Sequence, residues 1–156
     1  MLASTAASDG TWLLGTRDAL VVVPAESSVE PAETLPWEGI ETADWDRERE
    51  RLRVTEVGEF GRIRPVHLFT LADPGRLLPM IRERVTASVL LQRRVQVTGT
   101  AGLMVVARRA PHGDGDITWA CEYDEGVDPD DPVVRLAAEE GLRAAADEVG
   151  SGPDPI

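Results

Sequence analysis

The two histidines and the aspartates near one of them are the residues best suited to catalysis or metal binding. His112, Asp114 and Asp116 fall in one short segment, and an imidazole beside carboxylates can transfer protons or hold a metal ion. With His67 they define one alternative, a small hydrolase or metal-dependent enzyme. The same segment reads Gly-Asp-Gly between two apolar runs, which is typical of a hairpin turn. His67 shares its strand face with apolar residues, which favours a structural histidine.

No motif for nucleophilic or phosphate chemistry accompanies these residues. The chain contains no G-x-S-x-G, G-x-x-x-x-G-K-[ST] or G-x-G-x-x-G pattern. Cys121 lies among apolar residues and is predicted to be a small buried side chain, not an activated thiol. The acidic run 124–131 lacks the spacing of a calcium loop, and Asp131 is needed as a helix cap. We therefore predict that the protein is not an enzyme and holds no cofactor or metal.

Arginines form the remaining candidate site. All 16 basic residues are arginine, and residues 62–109 hold nine of them with only two acidic residues. Arginine suits bidentate recognition of carboxylate or phosphate. Trp45 stands between two aspartates, and a partly exposed tryptophan is typical of interfaces. The predicted partner-binding or anion-binding residues are Arg62, Arg64, Arg82, Arg84, Arg93, Arg94 and Trp45. In the alternative interpretation, the arginines pair with the acidic flanks of the same chain.

Composition excludes several classes of protein. A net charge of −12 argues against nucleic-acid binding and against stable association with an anionic membrane. The chain has no apolar run of transmembrane length. With Cys121 as the one cysteine, no intrachain disulfide is possible. The opening MLASTAASDG has neither a basic nor an apolar region typical of a signal peptide, so we expect a cytoplasmic protein.

Two periodicities locate the elements that must position these residues. Strands are predicted at Trp12–Gly15, Ala19–Val23, Trp37–Trp45, 51–55, Ile63–Leu71, Arg94–Thr98, Gly102–Arg109 and Asp116–Tyr123. The polar segment Pro24–Pro36 is predicted to be a long loop. Helical spacing after Asp73-Pro74 predicts a helix that ends near Leu91 to Arg93. A second helix is predicted to begin at Asp131-Pro132 and to end at Gly150.

Parts of this pattern resemble a known family. The segments Gly15–Leu20 and Leu35–Ile40 resemble the opening strands of bacterial pleckstrin-homology-like domains, and the helix after Asp73 fits their closing helix. The chain also looks like an uncharacterised family of high-GC, actinobacterial-type bacteria in the segments Trp45-Asp46, Arg82–Val89 and Asp128–Pro132. Such domains are usually adaptors or lipid-, peptide- or self-association modules. This chain has no lysine and lacks their basic cluster between the first two strands, which argues against phosphoinositide binding.

The resemblance and the periodicities together imply an α+β fold. We expect a pleckstrin-homology-like curved antiparallel sheet or partly open barrel of about seven to eight strands, with an internal helix and a C-terminal amphipathic helix. Residues 1–10 are predicted to be disordered and 151–156 to be a flexible tail. One domain is predicted over 11–150, with 11–91 as core sheet and helix and 94–150 as an added hairpin and helix. The predicted function is an adaptor that binds a protein partner or a second copy of itself.

Overall fold

Antiparallel hairpins account for most of the regular structure. The computed structural model describes residues 2–58, 64–111 and 115–150. Within them the chain forms ten strands in three antiparallel sheets, together with two α-helices, so the fold is α+β. The chain divides into two compact units. Unit 1 is Met1–Ser88 with Ala110–Asp114, and unit 2 is Val89–Arg109 with Gly115–Ile156.

Unit 1 contains two sheets and a helix. The first sheet has the order β1-β2-β3-β4 and the second the order β5-β6-β7, each with antiparallel neighbours. A short 3₁₀ turn, Trp37–Gly39, leads from the first sheet into the second. The elements are β1 Ala3–Ala6, β2 Trp12–Gly15, β3 Ala19–Val23, β4 Glu33–Pro36, β5 Ile40–Asp46, β6 Arg51–Glu56, β7 Val66–Thr70 and α1 Leu77–Ser88.

One hydrophobic core joins the elements of unit 1. It contains Leu20 of the first sheet, Leu52 of the second and Ile81 of α1, all essentially inaccessible to solvent. Trp37 is fully buried, and its Nε1 donates a hydrogen bond to the carbonyl oxygen of Thr16 at 3.0 Å. A buried indole needs such an acceptor for its N–H. The 3₁₀ turn therefore anchors the connection between the sheets.

Strand β6 confirms the alternation expected from its sequence. Leu52 and Val54 are buried while Arg51 and Arg53 are exposed. Successive side chains of a strand point to opposite faces, so the arginines lie on the face of the second sheet away from the core. This placement defines one of the two candidate sites.

Unit 2 is a three-stranded sheet covered by a long helix. Its order is β10-β9-β8, with core residues that include Leu103 and Val105 of the sheet and Val134 and Ala138 of the helix. The elements are β8 Val89–Thr98, β9 Ala101–Arg108, β10 Thr118–Tyr123 and α2 Pro132–Val149. Gly141 lies where α2 packs tightly against the sheet, since a Cβ there would be 2.7 Å from a methyl group of Val95.

Both predicted ends of α2 are confirmed. The Oδ1 of Asp131 accepts a hydrogen bond from the backbone N–H of Val133 at 2.8 Å, and a proline follows it. Gly150 closes the helix with φ of 82°, in the left-handed region that glycine adopts at little cost.

Several predicted elements differ from the structure. Residues 3–6 form β1 although 1–10 was expected to be disordered, because their backbone pairs with β2. The expected loop ends earlier, since Glu33–Pro36 pairs with β3. The expected strand from Trp37 begins at Ile40, after the 3₁₀ turn. Helix α1 ends at Ser88 and not near Leu91, because Val89 begins β8.

The sheet arrangement also differs from the expected single curved sheet. The described strands number ten rather than about seven to eight, and they form three separate sheets that do not close into a barrel. The 3₁₀ turn and α1 are the points at which the chain leaves one sheet for the next. That 11–150 constitutes a single domain stays a prediction, and the predicted tail 151–156 lies outside the described residues.

Candidate functional site

Some of the predicted arginine site is occupied by ion pairs within the chain. Nη1 of Arg64 donates to Oε1 of Glu41 at 2.7 Å in unit 1. In unit 2, Nη1 of Arg93 lies 3.4 Å from Oε2 of Glu148, a pair of exposed side chains. Arg62 lies outside the described residues. These pairs favour the alternative in which the basic middle neutralises acidic residues of the same chain.

Arg94 makes the most elaborate of these pairs. Its Nη1 donates to Oδ1 of Asp124 at 2.7 Å, its Nη2 donates to Oδ2, and Nη2 also donates to the carbonyl oxygen of Thr100 at 2.8 Å. Asp124 also accepts from the backbone N–H of Gly102 at 2.9 Å. The hydrogen bond from Arg94 makes the largest contribution to lowering the pKa of Asp124 to about 2, and the hydrogen bond from the backbone N–H of Gly102 makes the second largest. The guanidinium of Arg94 is thus fixed between Asp124 and the backbone at Thr100, both in unit 2. We call this arrangement the Arg94 clamp.

Arg82 and Arg84 lie on α1, as predicted, but their exposures differ. Arg82 is exposed, whereas Arg84 is half-buried and its Nε has no acceptor among the described residues. Arg64, Arg93 and Arg94 already contact carboxylates of their own units. Of the predicted arginines that the structure describes, Arg82 and Arg84 are therefore the ones that remain candidates for a partner.

Trp45 borders an open depression on unit 1. The side chain is half-buried and packs against the core of the unit. The depression has a volume of about 450 Å³ and lies on the second sheet. Its lining residues are Asp44, Trp45, Asp46, Arg49, Arg51, Arg53, Val66 and Leu68. Trp45 is thus one of the predicted site residues that the structure places at a concave surface.

The surface around this depression combines arginines with exposed apolar side chains. We call it the outer face and define it by Asp44, Asp46, Arg51, Arg53, Val66 and Leu68 of β5, β6 and β7. Leu68 is 55% exposed and Val66 is 42% exposed. The strand register places Arg53 between Asp44 on one side and Leu68 on the other. On the outer face, the exposed apolar side chains of β7 therefore lie beside the charged side chains of β5 and β6.

The inner side of β7 carries a second candidate site. Nε2 of His67 lies 2.8 Å from Oε2 of Glu56, and Nδ1 lies 3.9 Å from Oε2 of Glu33. The imidazole and the ring of Phe69 are nearly parallel, with centroids 6.3 Å apart. The expectation that His67 shares its face with apolar residues is met, because Phe69 is buried. The two carboxylates come from β4 and β6, which belong to different sheets.

The alternative enzyme site can be followed only in part. His112 and Asp114 lie outside the described residues, and Asp116 is exposed before β10. His67 belongs to unit 1 and Asp116 to unit 2. Where the structure describes carboxylates near His67, they are those of Glu33 and Glu56.

Cys121 is a half-buried member of the apolar side of unit 2. It packs against the core there, together with Tyr123. Burial raises the pKa of the Cys121 thiol, an effect partly offset by a side-chain hydrogen bond with Tyr123. Because the thiolate is the reactive form, this environment disfavours a nucleophilic role.

Sequence reasoning missed two pairs of residues in these sites. Arg51 and Arg53 fall in a segment whose overall charge is acidic, but their alternation with Leu52 was the signal that placed them on one exposed face. Glu33 fell in an expected loop, and Glu56 followed a predicted strand. No local pattern indicated that these two glutamates meet at one histidine.

Comparison of the chain with family models, curated proteins and solved structures finds no match in any of the three. Neither helix that the structure describes combines the length and the apolar character needed to cross a membrane.

Proposed function

We propose that the protein is a non-enzymatic binding module that acts through contact between its outer face and another protein. The observation that carries this proposal is that Val66 and Leu68 stand exposed beside Arg51 and Arg53 on one sheet face. Arginine is enriched at protein–protein interfaces, and the centre of such an interface is more apolar than its rim. Trp45 forms one edge of the depression, while most of its side chain packs against the core of unit 1.

The charges that line the depression, which include Arg49 in addition to the residues of the outer face, indicate the chemistry of the partner. Arg49, Arg51 and Arg53 line the depression against Asp44 and Asp46. The three guanidinium groups thus outnumber the two carboxylates. Arg49 and Asp46 approach only to 3.9 Å as exposed side chains, and such pairs contribute about 0–1 kcal/mol. We infer a partner that presents carboxylates around an apolar side chain. A second copy of this chain, with a net charge of −12, meets the charge requirement.

We also propose that unit 1 is a pleckstrin-homology-like domain of an actinobacterial-type family. Antiparallel strands followed by the helix α1 are the order of elements that the resemblance implies, which supports the proposal. The lack of lysine supports protein binding over phosphoinositide binding. A cytoplasmic location is consistent with Cys121 as the one cysteine, since disulfides are rare in reducing compartments.

Photo-crosslinking in the native cell tests the partner surface directly. A photoreactive amino acid at position 68 samples the outer face, and the same residue at position 136 is the matched control. Leu136 is 57% exposed on α2 in unit 2, close to the 55% of Leu68. We expect a discrete crosslinked protein from position 68 and none from position 136. Mass spectrometry then distinguishes a second copy of this chain from another acidic protein.

Charge-reversal variants distinguish a partner that binds the outer face from one that binds α1. Arg51→Glu with Arg53→Glu should abolish the crosslink from position 68, whereas Arg82→Glu with Arg84→Glu should leave it unchanged. In a cell lysate brought to about 1 M salt before irradiation, the screening length is roughly 3 Å, so the crosslink should weaken. Equal crosslinking from both positions, or a crosslink that survives the Arg51 and Arg53 reversals, would overturn the assignment to the outer face.

A further inference from the structure

His67 and two glutamates from separate parts of the chain meet on the inner side of β7. One ligand atom from each of Glu33, Glu56 and His67 can be chosen so that all three lie within 4.8 Å of one another. Glu33 belongs to β4 of the first sheet, and the other two residues belong to β6 and β7 of the second. The cluster therefore spans the two sheets of unit 1.

We propose that Glu33, Glu56 and His67 bind a divalent transition-metal ion of the Zn²⁺ class. This inference goes beyond the protein-binding function, because it concerns the opposite side of β7 from the outer face. Imidazole suits Zn²⁺ and related ions, while carboxylates can complete their coordination. Three protein ligands leave a fourth position for water, as in sites with open coordination.

The donor atoms are close enough for side-chain rotation to bring them around one ion. With bonds of about 2.1 Å, two ligands of a tetrahedral ion lie about 3.4 Å apart. The 2.8 Å contact joins Nε2 of His67 to Glu56, whereas the 3.9 Å contact joins Nδ1 to Glu33, so only one of these nitrogens can bind the ion. Because one atom from each residue lies within 4.8 Å of the others, side-chain rotation must shorten the longest separation by about 1.4 Å at most.

Partial burial favours a defined site over a diffuse acidic surface. The side chain of His67 is 19% exposed and that of Glu56 is 27% exposed, while Glu33 is 53% exposed and leaves the cluster open to entry of an ion. The stacking of His67 against Phe69 restricts the orientation of the imidazole. An ion bound here would connect β4 to β6 and β7 and would stabilise the junction between the two sheets.

Calorimetric titration of the intact chain with Zn²⁺ tests the site. We expect one Zn²⁺ per chain for the wild type and no stoichiometric binding for His67→Ala. Glu33→Gln should weaken binding by at least about ten-fold, the lower end of the loss caused by removing even an outer-shell partner. His112→Ala, which removes the other histidine, is the matched control and should bind as the wild type does.

A second measurement separates loss of the site from loss of the fold. Because Glu33 is half-exposed, Glu33→Gln should keep the wild-type circular dichroism spectrum and melting temperature in the absence of metal. Zn²⁺ should raise the melting temperature of the wild type in a concentration-dependent way, and raise that of Glu33→Gln less at equal concentration. Ca²⁺, which prefers six to eight oxygen ligands, should produce a smaller increase than Zn²⁺.

Several results would overturn the proposal. They are no stoichiometric binding of Zn²⁺ to the wild type, equal binding to His67→Ala, or loss of binding in His112→Ala. In the first case the cluster is only a hydrogen-bonded histidine between carboxylates. In the others the ion occupies a different place in the chain.

Discussion

The buried guanidinium of Arg108 makes its partner Glu122 unusually important for stability. The side chain of Arg108 is 4% exposed, and its Nη2 donates to Oε1 of Glu122 at 2.9 Å. Its Nε has no acceptor among the described residues. Glu122 is less buried, with 29% of its side chain exposed. Glu122→Gln would therefore leave a charged, almost fully buried group without a carboxylate.

The expected loss of stability follows from this difference in burial. Removing one partner of a fully buried ion pair costs about 3–5 kcal/mol. Because water reaches Glu122, we expect Glu122→Gln to lower the free energy of unfolding by about 2–4 kcal/mol. Replacing both charges is different, since a buried pair exchanged for uncharged groups is often neutral or stabilising. The double variant Arg108→Met with Glu122→Gln should therefore lie within about 1 kcal/mol of the wild type.

Urea denaturation followed by circular dichroism measures these differences. Glu148→Gln is the control, because its pair with Arg93 is exposed on both sides and should contribute about 0–1 kcal/mol. The decisive comparison is between Glu122→Gln and the double variant. If adding Arg108→Met does not restore stability, the cost does not arise from an unpaired buried charge, and the reasoning is wrong.

Two further predictions concern unit 2, namely the Arg94 clamp and the close approach of Gly102 in β9 to Val95 in β8. The pKa of Asp124 is about 2 in the folded chain and about 3.8 as its ordinary value, so its contribution is present above about pH 3.8 and is lost as the pH falls towards 2. Asp124→Asn should therefore make the urea midpoint depend less on pH between pH 5 and 2. A pH profile identical to that of the wild type would contradict the stabilising role of the Arg94 clamp. Gly102→Ala should destabilise the chain by about 1–3 kcal/mol in the same assay at pH 7, because its Cβ would approach a backbone oxygen of Val95 that cannot move aside; wild-type stability would show that β8 and β9 adjust.

Local signals were sufficient for the elements whose ends are fixed by their own residues. Helix α2 begins and ends where the Asp131-Pro132 cap and Gly150 predict, because capping depends on neighbours in sequence. The end of α1 was predicted too late because Val89 continues the helical apolar spacing. Pairing of β8 with β9, further along the chain, determines the true boundary there.

The candidate sites depend on contacts that no local pattern contains. Arg94 reaches Asp124 across 30 positions, and Arg93 reaches Glu148 across 55. The sequence therefore showed the excess of arginine in residues 62–109, but it did not indicate which carboxylates pair with which guanidinium groups. Alternation in β6 did predict that Arg51 and Arg53 are exposed, because successive side chains of a strand point to opposite faces, but it did not mark them as site residues.

Strand β7 connects the two proposals and allows each to serve as a control for the other. His67 faces Glu56 and Glu33, while Leu68, the next residue, is exposed on the outer face. Adjacent strand residues point to opposite faces, so Leu68→Glu should alter protein contact without altering Zn²⁺ binding, and Glu33→Gln should do the reverse. A variant that loses both properties has lost the strand itself. Only separable losses are consistent with two sites on opposite faces of one sheet.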